Sequence, residues 1–283
     1  MTCLPLHSRY IAAALTAVGL SLASSSAALS ADMPAPVDPV ADPVVAAPAS
    51  SWTYVVTPYL WGTGLSGDVA PFKNAPTVHI DQSFSDILSN LNIAGFLNFW
   101  ATNGRYGVYA DVMYTDISEK DATGPVNIPN VGVVDNLNVK VGNKLFNAAL
   151  FGSYRLADEP DFKFDALAGI RAYRVWTDLS VNAPSYNAYY STSSAFGWVD
   201  PAVGFLAQYS FTDKMKVIGQ ADVGGFDVGS KISWQALAAF QYAFKKNMAL
   251  SVGYKYQSVD YDSGGHVFDT QMQGPVMGVS FRF

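Results

Sequence analysis

Cysteine is nearly missing from this chain. Among 283 residues the only one is Cys3, which stands ahead of an apolar run and not after one, unlike a lipid-anchored cysteine. Once a leader containing it is removed, disulfides and cysteine-based metal sites are excluded. Charge is also scarce: 14% of residues are Asp, Glu, Lys or Arg, and the net charge is −6 at pH 7. An acidic balance argues against nucleic acid as a partner. Beyond the leader no segment holds the roughly 18 consecutive apolar residues of a membrane-spanning helix. What the chain has in quantity is aromatic side chains, with 16 Tyr, 17 Phe and 6 Trp. Aromatics spaced along membrane interfaces are one reason to carry so many.

Residues 1–31 read as a secretory signal. His7 and Arg9 lie in a short polar start, Ile11 to Leu22 form a 12-residue apolar run, and small residues follow to Ala31. The run is too short to cross a bilayer as a helix. Residues 32–51 read as a tether, because Pro34, Pro36, Pro39, Pro43 and Pro48 recur among Ala, Val and Asp. Such a segment cannot build a core. An exported, rather apolar chain with no spanning helix is either a soluble domain or a protein that spans with strands.

Period-two alternation dominates residues 52–283. Tyr106, Val108, Ala110, Val112 and Tyr114 share one face, while Arg105, Gly107, Tyr109, Asp111, Met113 and Thr115 share the other. The two tyrosines are about 26 Å apart along an extended strand. A tilt of about 45° brings that to roughly 19 Å of vertical reach, which approximates two interfacial girdles. Phe162 to Trp176 repeats the pattern, with Arg174 on the apolar face read as lying above the hydrocarbon. The polar faces are rich in Gly, Ala, Ser and Gln, not in Lys and Glu, which suits a crowded lumen better than a wetted surface.

Connections alternate short and long. Short ones fall at Asn103-Gly104, Ala157 to Asp161, Thr212-Asp213 and Lys245 to Asn247. Long ones fall at Val69 to Asn90, Glu119 to Val141, Val181 to Ser191, Asp227 to Lys231 and Asp262 to Thr270. Short periplasmic turns and longer outer loops are expected of an outer-membrane barrel. The predicted strands are 52–68, 91–102, 105–118, 142–156, 162–180, 192–211, 214–226, 232–244, 248–261 and 271–283. The expected fold is therefore all-β: a closed antiparallel transmembrane β-barrel of about ten strands, within a range of eight to twelve. Thr77 to Phe84 could add a strand, and Ser85 to Leu91 a turn or two of helix. Pro201, inside a predicted strand, predicts a bulge or bend. Gly224-Gly225 predicts a strand end or bulge beside a tight loop.

The tail Gly274-Pro-Val-Met-Gly-Val-Ser-Phe-Arg-Phe283 resembles the terminal strand of bacterial outer-membrane proteins. Gly278, Phe281 and Phe283 match that pattern, which the barrel-assembly machinery reads; Val276 stands where a polar residue is usual. The body resembles small proteobacterial outer-membrane barrel proteins, porin-like and mostly without an assigned activity. The stretches that carry this are Thr57 to Gly67, Gly104 to Asp111, Trp198 to Gly204 and Asp222 to Ser230. The resemblance implies location and fold, and little chemistry.

Ten charges are expected to face the lumen: Arg105, Asp111, Arg155, Lys163, Asp165, Arg171, Lys216, Asp222, Lys255 and Arg282. One reading is a pore lining that favours anions. The other is an interior packed by paired charges, as in most small barrels. Asp260, Asp262, Gly264 and Gly265, with Asp269 near, resemble the opening of a calcium loop, against the plainer reading of a solvated hairpin. His266 beside Asp269, Ser258 and Ser263 could imitate a rim hydrolase, although Ser and Asp are common turn residues. His79-Ile-Asp81 has no recognised metal spacing. No cofactor, metal site or catalytic residue is expected. The expected role is non-enzymatic and structural or porin-like, with a narrow channel for small polar solutes as its furthest extent. A surface interaction protein using long loops is the alternative, and a barrel lipid hydrolase or acyltransferase a third. Expected partners are outer-membrane lipid, lipopolysaccharide and the barrel-assembly machinery.

Overall fold

The computed structural model describes residues 52–123, 126–128, 132–134, 137–183 and 187–283. The expected signal and tether, with Cys3, lie outside the described residues. The strands are β1 (Thr53–Trp61), β2 (Gly64–Ala70), β3 (Val78–Gln82), β4 (Leu91–Thr102), β5 (Tyr106–Thr123), β6 (Val126–Ile128), β7 (Gly132–Val134), β8 (Leu137–Asp158), β9 (Phe162–Ala183), β10 (Ala188–Thr212), β11 (Met215–Gly225), β12 (Ile232–Lys245), β13 (Met248–Ser263) and β14 (His266–Arg282). One helix, α1 (Phe84–Asn90), precedes β4. Ten strands pair antiparallel in the order β1-β4-β5-β8-β9-β10-β11-β12-β13-β14, and β14 returns to β1 to close a barrel. Beyond the closure, β2 continues along β14, and β3 pairs with β2.

Alternation decides which face is which. On β5, Gly107, Tyr109, Asp111 and Met113 are buried, while Tyr106, Val108, Ala110, Val112 and Tyr114 lie outside. Leu60, Leu156, Phe211, Met277 and Val252 also stand exposed on the outside. The buried positions hold the polar set instead: Asp165, Arg171, Asp200, Gln257 and Thr270 have at most 1% of their surface exposed. A soluble sandwich would put apolar faces together and polar ones in water. This arrangement is inverted, and only hydrocarbon outside the wall makes it favourable. The fold is a closed transmembrane β-barrel of ten strands with two outer strands.

The strands differ greatly in length. β10 has 25 residues and β11 has 11, against the roughly 9–11 a tilted spanning strand needs. The excess lies at the end away from the short turns. The turns after β4, β8, β10 and β12 sit at one rim, where Phe283 donates its N–H to the Tyr54 carbonyl at 2.8 Å. By the asymmetry of such barrels this rim is periplasmic.

Several expected loops are strand instead. The connection expected over Val181 to Ser191 shrinks because β9 runs to Ala183 and β10 starts at Ala188, in unbroken register. Residues expected in the 119–141 loop extend β5 and β8, paired from Thr123↔Leu137 inward. The Asp262–Thr270 loop is a two-residue turn at Gly264-Gly265, whose φ values of 64° and 83° suit a tight hairpin. The single first strand expected over 52–68 is broken at Gly62-Thr63. There Gly62 donates to the Pro275 carbonyl at 2.9 Å, and Pro275, which has no N–H, cannot return the bond. Pro201 causes no bulge: Pro201↔Ile170 is in register. Its carbonyl faces Gly224, on the β11 side, where pairing starts only at Ala202. The missing N–H lies on that same side and costs no ladder bond. α1 begins with a capping box, in which Ser83 and Asp86 satisfy each other's backbone donors.

Candidate functional site: the barrel interior

Inward positions of all ten strands converge on three stacked regions. The middle one is polar. Lys255 donates to Asp111 Oδ1 at 3.1 Å and to Tyr59 OH at 3.2 Å. Tyr59 OH donates in turn to Asp111 at 3.0 Å. Arg171 pairs with Asp222, and Gln220 donates to Asp222 Oδ2 at 2.7 Å. Arg155 Nε binds Asp165 at 2.7 Å. Buried charges are tolerated when paired and hydrogen-bonded; Arg155 and Asp165 face each other on neighbouring strands, Arg171 and Asp222 reach across β10, and Lys255 and Asp111 join β13 to β5. The Lys255–Asp111–Tyr59 group is the one that bridges well-separated strands of the wall.

Above this layer, toward the long-strand end, the lumen is filled by rings. Trp198 stacks on Tyr261 with centroids 3.9 Å apart and on Tyr173 at 4.7 Å. Phe196 stacks on His266 at 4.5 Å, and Phe268 and Val259 complete the cluster. Asp200 is fully buried at its edge. Its carboxylate accepts from Ser230 N–H at 2.7 Å, Ser230 Oγ at 2.6 Å and Ser233 Oγ at 2.9 Å. This ties the loop after β11 to the wall.

Of the ten expected lumen charges, Asp111, Arg155, Asp165, Arg171, Asp222 and Lys255 are buried. Lys163, Lys216 and Arg282, with Arg155, line a cavity toward the periplasmic rim. Arg105 does not face the lumen. It lies in the turn before β5, where strand alternation is not imposed, and its guanidinium sits 4.8 Å over the ring of outward-facing Tyr154. Asp200, Tyr59 and the buried glutamines Gln220, Gln235 and Gln257 join the interior network without having been singled out from the sequence. Parity alone places Asp200 on the buried face of Trp198.

The calcium-loop reading does not hold. Asp260 and Asp269 are directly paired ladder residues on the outer face. Among the described residues no group of three or more His, Cys, Asp or Glu is placed to hold a metal ion. The hydrolase-like cluster does not assemble either. His266 points inward, its Nδ1 2.9 Å from the Pro71 carbonyl, whereas Asp269 lies on the outer face, an odd number of residues away. Gly278 and Phe281 belong to the closing strand, where Gly278 opposes Tyr59 and Phe281 opposes Val56 on β1, and Phe283 follows its last residue and bonds the Tyr54 backbone.

No family model matches the sequence, and no curated protein matches it. Solved structures similar to this chain include the outer-membrane protease OmpT of Escherichia coli. It has TM-score 0.49 and 11% identity, over 83% of this chain and 98% of that one. The translocator domain of autotransporter NalP from Neisseria meningitidis has TM-score 0.41 and 11% identity, over 82% and 89%. Ail, the attachment invasion locus protein of Yersinia pestis, has TM-score 0.31 and 10% identity, over 82% and 98%. Likenesses of this degree assign no activity to the chain.

Proposed function

We propose that the protein is a non-enzymatic outer-membrane barrel with a structural role, closed to free diffusion at rest. The reading is supported by what stands inside the barrel: the buried Lys255–Asp111–Tyr59 and Arg171–Asp222 groups and the Trp198 stack above them. A porin-like role needs a continuous wet path, and here ion pairs and rings occupy it. Outside, Lys144 pairs with Asp116 at 3.8 Å, and Arg174 lies 5.7 Å from the Trp176 ring. These cations stand above the apolar belt, where phosphate-bearing lipopolysaccharide would meet the wall. Reconstitution in planar bilayers tests the reading: the expected record has no unitary steps, and steady openings would overturn it.

A second reading, a surface interaction protein, has its own support. From Ala188 to Pro201, β10 pairs only with β9 among the described residues. The stretch Ala188–Gly197 carries no charge and no proline, and Tyr189 and Tyr190 are exposed. An unguarded edge of this kind can accept a strand from a partner. Cells displaying the double substitution Ser193→Lys, Ala195→Lys should adhere less than wild type; equal adhesion counts against this reading.

A further inference from the structure

The barrel is hollow toward its periplasmic rim. Below Tyr59, Asp111 and Lys255 lies a cavity of about 1120 Å³, whose lining reaches the turns at Asn103, Asp161, Asp213 and Lys246. It opens to the periplasmic rim and ends at the polar layer. Pockets for small molecules are of this order, roughly 300–1,000 Å³. Eight basic and three acidic residues line it, in a chain whose net charge is −6.

The charges do not cancel within the cup. Arg155, Lys163 and Lys255 have carboxylate partners. Lys216 and Arg282 have none among the described residues; Lys216 donates only to Gln208 Oε1 at 2.8 Å. Directly opposite Lys216 on β12 is Gln241. Its amide donates to the Ser251 and Ser280 hydroxyls at 2.9 and 3.1 Å, and Ser280 bonds Thr57 Oγ1 at 2.8 Å. Uncompensated cations held in a walled cavity beside hydroxyl and amide groups focus a positive potential on whatever enters. They also supply the donors that phosphate and carboxylate groups require.

We propose that this cup is a binding site for a small molecule carrying two or more phosphate or carboxylate groups, entering from the periplasmic side and held by Lys216 and Arg282. The closed polar layer makes it a site and not a path. For its blind end the proposal rests on the closed-barrel reading, but the two fail separately: conductance reports on the polar layer, and calorimetry reports on affinity in the cup.

The experiment uses the full chain, folded in detergent, titrated calorimetrically at low salt with inorganic pyrophosphate in one arm and citrate in the other. Binding in the pyrophosphate arm alone identifies phosphate as the group recognised, binding in the citrate arm alone identifies carboxylate, and binding in both identifies charge as sufficient; each supports the site. Lys216→Gln with Arg282→Gln should weaken binding at least about tenfold, while Lys231→Gln, on the opposite rim, should leave it unchanged. Heat-dependent gel mobility reports whether each variant is folded. If the double variant does not fold, single Lys216→Gln is read instead, with a weakening of several fold expected. No binding in either arm, or binding that Lys231→Gln weakens as much as the cup variants do, overturns the proposal.

Discussion

Arg171 on β9 and Asp222 on β11 meet as an ion pair with no side-chain surface left to water, although β10 runs between their strands. The inward residues of β10 at this height make the meeting feasible. Ala202 is buried beside the pair, and Gly204 opposes Asp222, where an added Cβ would come within 2.5 Å of the Asp222 Cβ. Small residues on the intervening strand let a long guanidinium reach across it.

Removing one partner of this pair strands a buried charge. Arg171→Met or Asp222→Leu alone should destabilise the barrel by about 3–5 kcal/mol. The double variant should lose less than the sum, because neither charge is then left alone. Urea unfolding in detergent micelles, run as a double-mutant cycle, measures the difference; strictly additive losses would mean the pair is not coupled.

Asp200 is a second buried carboxylate, and its work is local. It satisfies two donors of Ser230 on the loop after β11 and the Ser233 hydroxyl on β12, beside Phe226 and Asp227 with φ values of 51° and 60°. Non-glycine residues hold that left-handed conformation only when their surroundings fix it. Asp200→Ala should cost about 1–3 kcal/mol from the orphaned donors. Amide exchange should rise in residues 226–231 more than in the barrel wall, and uniform exchange across both would contradict this role.

Much of this was legible beforehand because strand alternation is a local property. Val108 and Asp111 declare their faces from spacing alone, and the turns at Asn103-Gly104 and Lys245 to Asn247 declare themselves by composition. Length of strand beyond the membrane was not legible. Val181 to Ala183 and Ala188 to Ser191 read as loop, and only their pairing with each other, from Ala188↔Ala183 to Ser191↔Ser180, makes them strand. Pairing partners were likewise hidden: Arg171 and Asp222 are separated by 51 positions, and alternation gives their face but not their height in the barrel. Arg105 was misplaced because a two-fold period was extended into a turn.

The break between β1 and β2 depends on close backbone approach. A Cβ placed on Gly274 would lie 2.0 Å from the Gly62 carbonyl oxygen. Gly274→Ala should therefore force the two backbones apart beside Pro275, at a cost of about 1–3 kcal/mol. Since this is the seam that closes the barrel, a lower yield of heat-modifiable folded protein is expected than for Gly219→Ala, where nothing lies within 4 Å of the added carbon. Equal yields would show that the seam tolerates the side chain.

On the outer face at the long-strand end, Asp260, Asp269 and Asp68 stand in one row across β13, β14 and β2, with His79 next in line. Like charges directly opposite each other oppose pairing. Partial burial, and then the neighbouring Asp260 and Asp68 carboxylates, push the Asp269 carboxyl above its ordinary value. A raised folded-state value means that the folded protein binds the proton more tightly than the unfolded chain. Its contribution is thus most favourable below the unfolded value, declines as pH rises toward the folded value, and is a full penalty above it. Asp269→Asn removes that penalty without removing the hydrogen-bonding shape. The variant should melt higher than wild type at pH 7, and the gap should close as pH falls through the carboxylate range. Thermal melts across that range check the sign: a gap that widens on acidification would show that Asp269 is stabilised as a carboxylate, paired with a cation and not crowded by its acidic neighbours.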